Sequence, residues 1–182
     1  MALELGPCDV LYGTAGSEVS LGKTNGGVSL TIKDDSVDLV SDQNGSSAED
    51  TIITGTTVEV SMALAEITME KLNQILQPNV AVPSDNFAAG ENKVGLSLLA
   101  NSKSLLLKKY VNGAVSELPE NWVTFPAAAP VGDVEMSYDA SNQRVLNATF
   151  KCFPKDVTAN WDSSSPTTKN VAYFFGDETQ TS

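Results

Sequence analysis

The chain has 182 residues, enough for one well-cored domain, and 41% apolar with 19% charged residues is a globular composition. Its net charge of −12 sets its field against a phosphate backbone, which argues against an ordinary DNA-binding domain. The absence of histidine removes the commonest general base and a favoured metal ligand, so an enzyme lacks a credible catalytic set, and no catalytic, cofactor or metal site is assigned.

The N-terminal "MALELGPCDV" lacks the basic and apolar regions of a signal peptide, and no apolar run reaches the roughly 18 residues of a membrane span, so synthesis and residence in a cytoplasm are expected, with no membrane partner. Cys8 and Cys152 lie far apart, with neither metal-ligand spacing nor a disulfide framework.

Gly22-Lys23-Thr24 imitates the end of a phosphate-binding loop, but that pattern needs glycine at position 17, where the chain has Ser17. Asn25-Gly26-Gly27 then reads as a turn before a strand and not as the start of a phosphate-holding helix. The strand follows from alternation: Val28, Leu30 and Ile32 lie on one face, Ser29, Thr31 and Lys33 on the other. Past Ile32 the apolar parity flips to Val37 and Leu39, which predicts a bulge or a change of partner near Asp34-Asp35.

From Asp34 to Gly55 the chain carries Asp34, Asp35, Asp38, Asp42, Glu49 and Asp50 with no basic residue, and "SDQNGSSAED" is too polar to fold alone. A long loop or protruding hairpin is expected, and loops of this length are functional or held by a partner. Calcium is a poor fit: Asp42, Asn44, Glu49 and Asp50 offer oxygens but not the spacing of a calcium loop.

Alternation resumes with Val58, Val60, Met62 and Leu64 against Thr57, Glu59, Ser61 and Ala63. Thr68 is a plausible N-cap for a helix over about 68–77 that presents Met69, Leu72, Ile75 and Leu76 on one face and stops at Pro78. Residues 78–91 read as loop. "KVGLSLLA" and "SLLLKKYV" read as strands, followed by the hairpin-turn dipeptide Asn112-Gly113.

Residues 119–133 look irregular, strands resume at "VEMSY" and "RVLNATFKCF", and a Ser/Thr-rich stretch, 156–170, precedes a last strand, "VAYFF". In "RVLNATFKCF" the inward set is Leu146, Ala148, Phe150 and Cys152 and the outward set Asn147, Thr149 and Lys151. Trp122, Trp161, Phe174 and Phe175 read as core or interface packing before they read as a sugar platform. The fold class is mainly β: an antiparallel β-sandwich or partly closed barrel with one flanking helix, in a single domain.

Taken in order, these segments resemble a family. "LGKTNGGVSLTIKDDSVDLVSDQNGSSAEDTIITGTTVEVSMALAEITMEKLNQIL" is similar to the N-terminal half of bacteriophage tail tube proteins: a Leu-Gly-x-Thr-x-Gly-Gly-Val strand entry, a protruding loop with a Val-Asp-Gln-x-Gly-like core, a strand and an Ala-Glu-x-Thr helix start. The loop core here, Val40-Ser41-Asp42-Gln43-Asn44-Gly45, carries an inserted serine. "NWVTFPAAAP", "RVLNATFKCFP" and "VAYFFGDE" resemble the family's later segments, so the likeness spans nearly the whole chain.

The resemblance implies a structural protomer, six of which close into a ring, with rings stacked into the conduit for DNA ejection. Similar protomers build the inner tubes of contractile bacteriocins and of type VI secretion systems. It implies a virion tail protein assembled in a bacterial cytoplasm, with sheath, tape-measure, baseplate and terminator proteins as further partners and DNA passing without specific binding.

On that reading the loop residues Asp34, Asp35, Asp38, Asp42, Gln43, Asn44, Gly45, Glu49 and Asp50 contact a neighbouring subunit or ring. Residues 1–20 and the C-terminal strand and tail, 171–182, are inter-subunit arms. Ser29, Thr31, Lys33, Thr57, Glu59, Ser61, Asn147, Thr149 and Lys151 are candidate lumen residues, and Cys8 and Cys152 candidates for a disulfide between subunits. The rival from another class is a monomeric β-sandwich module binding carbohydrate or a host-surface protein, which would show a concave aromatic-lined site.

Overall fold

The computed structural model describes residues 7–42, 45–66, 68–76, 94–136, 145–159, 161 and 167–176. Their order is β1 (Cys8–Thr14), β2 (Ser17–Ser20), β3 (Thr24–Val40), β4 (Ala48–Leu64), α1 (Met69–Ile75), β5 (Lys103–Val111), β6 (Ala114–Val115), β7 (Trp122–Met136), β8 (Leu146–Cys152), β9 (Lys155–Ala159), β10 (Thr167–Val171) and β11 (Phe174–Phe175). The fold is mainly β, with antiparallel sheets and one helix, consistent with a β-sandwich.

Seven strands pair in the order β2-β1-β5-β7-β8-β4-β3, with β6 added to β5 and β11 to β7, while β9 and β10 form a separate two-stranded sheet. The large sheet folds over on itself. Tyr12 of β1 and Phe150 of β8 lie three places apart along it, yet their ring centroids are 4.9 Å apart, and the Tyr12 hydroxyl donates to the Ala128 carbonyl at 3.2 Å.

Val10 and Tyr12, Val58 to Leu64, Leu105 and Leu107, Phe125, and Leu146 to Phe150 fill the fold with their inward side chains. Burial of this apolar surface is the main stabilising term, at roughly 25 cal/mol per Å². The sheet ends, β2 and β3, are joined by Leu21–Lys23, and this linker is tied to both sides: Leu21 N–H donates to Val10 O (2.7 Å) and Ala65 N–H to Lys23 O (2.8 Å). No ladder joins β2 to β3 among the described residues, so hydrogen bonding leaves the sheet open there.

The alternation in the sequence places β4 and β8 as expected, with Val58, Val60, Met62 and Leu64 and then Leu146, Ala148, Phe150 and Cys152 buried. Thr68 caps α1, its hydroxyl accepting from Lys71 N–H at 3.3 Å, and Leu72 and Ile75 reach the core. Met69, expected on the same face, is exposed. Asn112-Gly113 turns β5 into β6 with φ of 52° and 82°, the positive pair of a type I′ hairpin.

Several expectations are corrected. Residues 8–20 are no arm: they form β1 and β2, and Val10 and Tyr12 are fully buried. Residues 94–101 make turns and not a strand. Ser97 Oγ accepts from Ala100 N–H, and its carbonyl accepts from Asn101 Nδ2, so local bonds replace a ladder.

The apparently irregular stretch from Trp122 belongs to β7. It shows no alternation because Phe125 to Ala129 are all buried, covered on both faces, and Pro126 sits where the ladder with β5 skips register. Part of the Ser/Thr-rich stretch is ordered as β9 and β10, pairing Thr158 with Thr168. The last strand is shorter than expected, because Val171 ends β10 and only Phe174 and Phe175 pair with β7. Residues 1–6, Pro78 and the C-terminal tail from 177 lie outside the described residues, as do Gln43 and Asn44.

Candidate functional site

The nine candidate lumen residues come from three separated segments, and register brings them together. Ser29 pairs with Ser61, Thr31 with Glu59 and Lys33 with Thr57 across β3 and β4; Glu59 pairs with Lys151, Ser61 with Thr149 and Ala63 with Asn147 across β4 and β8. Paired residues point to the same side of a sheet. They therefore form one continuous polar surface on the side opposite the core, exposed to half-buried throughout. Two rows are explicit: Thr31-Glu59-Lys151, and Ser29-Ser61-Thr149, in which the Ser61 and Thr149 hydroxyls lie 3.2 Å apart.

The charged groups among the nine are Lys33, Lys151 and Glu59; Lys33 lies 3.9 Å from Asp35, and Glu135 of β7 pairs with Asn147, so the surface is hydroxyl-rich with charges of both signs.

Six of the chain's 23 acidic residues stand on the hairpin. Segment 34–55 is an extension of β3 and β4, paired up to Val40 with Ala48. The predicted irregularity lies between Asp35 and Ser36: Asp35 pairs with Gly55 and Ser36 with Ile53, leaving Thr54 as an extra residue on β4. The bulge thus falls on the partner strand, and β3 keeps its own alternation.

The parity flip from Ile32 to Val37 and Leu39 consequently moves the apolar side chains from the core-facing side of the ribbon to the opposite side. Val37 pairs with Ile52 there, and they are 53% and 48% exposed, with Leu39 at 46%. The carboxylates are spread along the ribbon and bonded locally. Asp34 accepts from the Thr56 hydroxyl (2.6 Å), Asp38 from the Thr51 hydroxyl (2.8 Å), and Glu49 from Ser41. Among the described residues, no three acid or thiol groups are placed to hold a metal ion.

Where the ribbon leaves the core, an open groove of about 760 Å³ separates its inner side from the C-terminal segment. Ile32, Asp34, Thr56 and Val58 line the ribbon side; Trp161, Asn170, Val171, Tyr173, Phe174 and Phe175 line the other. Phe174 is buried with its ring edge-on to Trp161 at 5.3 Å, whereas Phe175 is 71% exposed.

Two polar residues of this groove are already committed: Asp34 to Thr56, and Asn170 Nδ2 to Asp156 Oδ1 at 2.7 Å. The Trp161 indole N–H donates to Thr167 O, and the Lys169 ammonium lies over its ring at 5.4 Å. Of the aromatics expected in core or interface packing, Trp122 and Phe174 are buried within the chain and Phe175 is exposed. The aromatic run "YFF" after a polar stretch was the available signal.

Gly22-Lys23-Thr24 leads into β3, with Gly26 and Gly27 at φ of 89° and 90° where the register with β4 breaks. Lys23 borders a second hollow of about 490 Å³ with Asp9, Ser20 and Tyr110, where Ser20 Oγ donates to Asp9 at 2.7 Å. No helix follows to hold a phosphate.

Cys152 is buried in the core and Cys8 half-buried against it, both as free thiols. Burial, with the Glu59 charge adding, pushes the Cys152 thiol up to about 12; burial, with Asp9 adding, raises that of Cys8. A sulfur enclosed in this way is not presented to a neighbouring chain, which corrects the disulfide expectation for Cys152. No protein-family model and no curated sequence matches the chain.

Proposed function

We propose that this protein is a structural subunit that assembles with copies of itself into stacked rings, the wall of a phage-type tail tube, and that it works by assembly without catalysis. The observation that carries the proposal is the hairpin. An apolar row, Val37, Leu39 and Ile52, stands on the side of the ribbon turned away from the core, and exposed apolar surface of this kind is stabilised by a partner. β3 also pairs only with β4 among the described residues, an unprotected edge that a ring would cover.

The three-strand polar surface suits a channel wall: it presents hydroxyls and few charges, so it holds water and offers DNA no cluster of cations. This differs from a wall that repels phosphate by its own acidity, because the nine candidate residues carry two lysines against one glutamate. Sedimentation velocity over a range of concentrations tests the reading. Hexamers and larger multiples are expected, and a monomer at every concentration would contradict it.

The second reading, a monomeric module binding carbohydrate, draws support from one feature, the aromatic-lined groove beside Phe175. Sugar recognition needs polar groups free to converge on hydroxyls, and Asp34 and Asn170 are already bonded to the protein's own side chains. That weighs against it.

A further inference from the structure

We infer that Asn25-Gly26 is a self-modification site, at which the Gly26 backbone nitrogen attacks the Asn25 side-chain amide and converts it to aspartate or isoaspartate. The inference is independent of the assembly reading and concerns the subunit itself. Asparagine is thermolabile, and a following glycine leaves the attacking nitrogen without a neighbouring β-carbon to shield it. The chain has three such pairs, Asn25-Gly26, Asn44-Gly45 and Asn112-Gly113, and Asn44 lies outside the described residues.

The fold separates the other two. Thr24 pairs with Leu64 and Val28 with Met62, so Asn25, Gly26 and Gly27 together oppose Ala63 and have no ladder partner of their own. All three are exposed, and a β-carbon on either glycine would meet nothing within 4 Å. Asn25 can therefore turn its side-chain amide onto the next nitrogen without breaking a strand pair.

Asn112 cannot. It is also exposed, but its φ of 52° belongs to the tight turn that closes β5 on β6, where Val111 pairs with Ala114 and Tyr110 with Val115. Ser116 N–H fastens the same hairpin to Lys109 O at 2.9 Å. Rotating the Asn112 backbone toward the attack geometry opens that ladder.

Water is the only co-reactant. Gly26 N gives its proton to hydroxide and bonds to Asn25 Cγ; the Cγ–Nδ2 bond breaks and ammonia leaves, its proton supplied by water, which restores the hydroxide and closes a cyclic imide. A second water opens the ring at either carbonyl, giving aspartate or, with an added methylene in the main chain, isoaspartate. Nothing is oxidised or reduced. The product is one charge more negative than the net −12 of the starting chain, and the added methylene falls where no ladder register has to be kept.

The test stores the protein at mildly alkaline pH, below its melting temperature, and maps its peptides by mass spectrometry, with an isoaspartate-specific methyltransferase labelling the rearranged product. Conversion at Asn25 should exceed that at Asn112 by about ten-fold or more. In denaturant, where no ladder constrains either pair, the two rates should come together. Asn25→Gln should remove the acidic species that arises from this site and leave conversion at Asn112 unchanged. Asn112 converting as fast as Asn25 in the folded protein would overturn the inference, as would an Asn25 that stays intact in the folded chain while it converts in denaturant.

Discussion

Cys152 shows how a single residue ties burial to a measurable response. Its thiol is held protonated up to about 12, while in the unfolded chain it ionises near its ordinary value of 9.0. Between those values the folded state binds the extra proton, so stability falls as pH rises, by about 1.4 kcal/mol per unit for one such group. Its contribution is complete below pH 9 and lost toward 12. Cys152→Ala is expected to flatten that alkaline slope in chemical unfolding measured between pH 8 and 11, and an unchanged slope would show that the thiol is not enclosed. Cys8, raised in the same direction, adds to that slope. Phe150, fully buried against Tyr12, gives a second residue-scale expectation: Phe150→Ala should cost about 3–5 kcal/mol of unfolding free energy in a urea titration.

At the scale of elements the hairpin and the helix make opposite predictions. Thr68→Ala removes the cap of α1 and should lower stability by about 1 kcal/mol with self-association retained in the folded protein. Val37→Asp combined with Ile52→Asp should do the reverse, leaving the melting temperature nearly unchanged, since both side chains are half-exposed, and abolishing assembly as seen by sedimentation.

These elements also show what could be read from sequence. β4 and β8 were legible because one face is buried and the other wet, which writes a period of two into the chain. β7 was not, because Phe125 to Ala129 are covered on both faces and the period disappears. Residues 94–101 misled through an accidental alternation that Gly95 (φ 84°) and the Ser97 bonds override. The parity flip at Asp34-Asp35 was visible in sequence, but its direction was not: the extra residue, Thr54, lies on the partner strand, and only the register places Val37 and Leu39 on the outer side. The polar surface was legible strand by strand, whereas its continuity across β3, β4 and β8 needed the strand order. The groove depends on β10 and β11 folding back beside the hairpin, and no local pattern encodes that contact.

For the whole molecule, the distribution of charge matters more than its sum. A net −12 describes a subunit with six of its 23 acidic residues on one ribbon, while the candidate channel surface is hydroxyl-rich and carries charges of both signs. The assembled particle is therefore expected to leave double-stranded DNA unretarded in a gel at about 0.15 M salt, where only clustered cations would hold it. A closed ring would also remove the exposed edge of β3 and cover the apolar row of the hairpin in one step, which links the two least satisfied features of the isolated subunit. The central claim is that these features are assembly surfaces, and negative-stain electron microscopy of the purified protein tests it most directly. Hollow rings or tubes about 100 Å wide, the order of six small domains around a channel, are the predicted result; dispersed monomers at every concentration would contradict it.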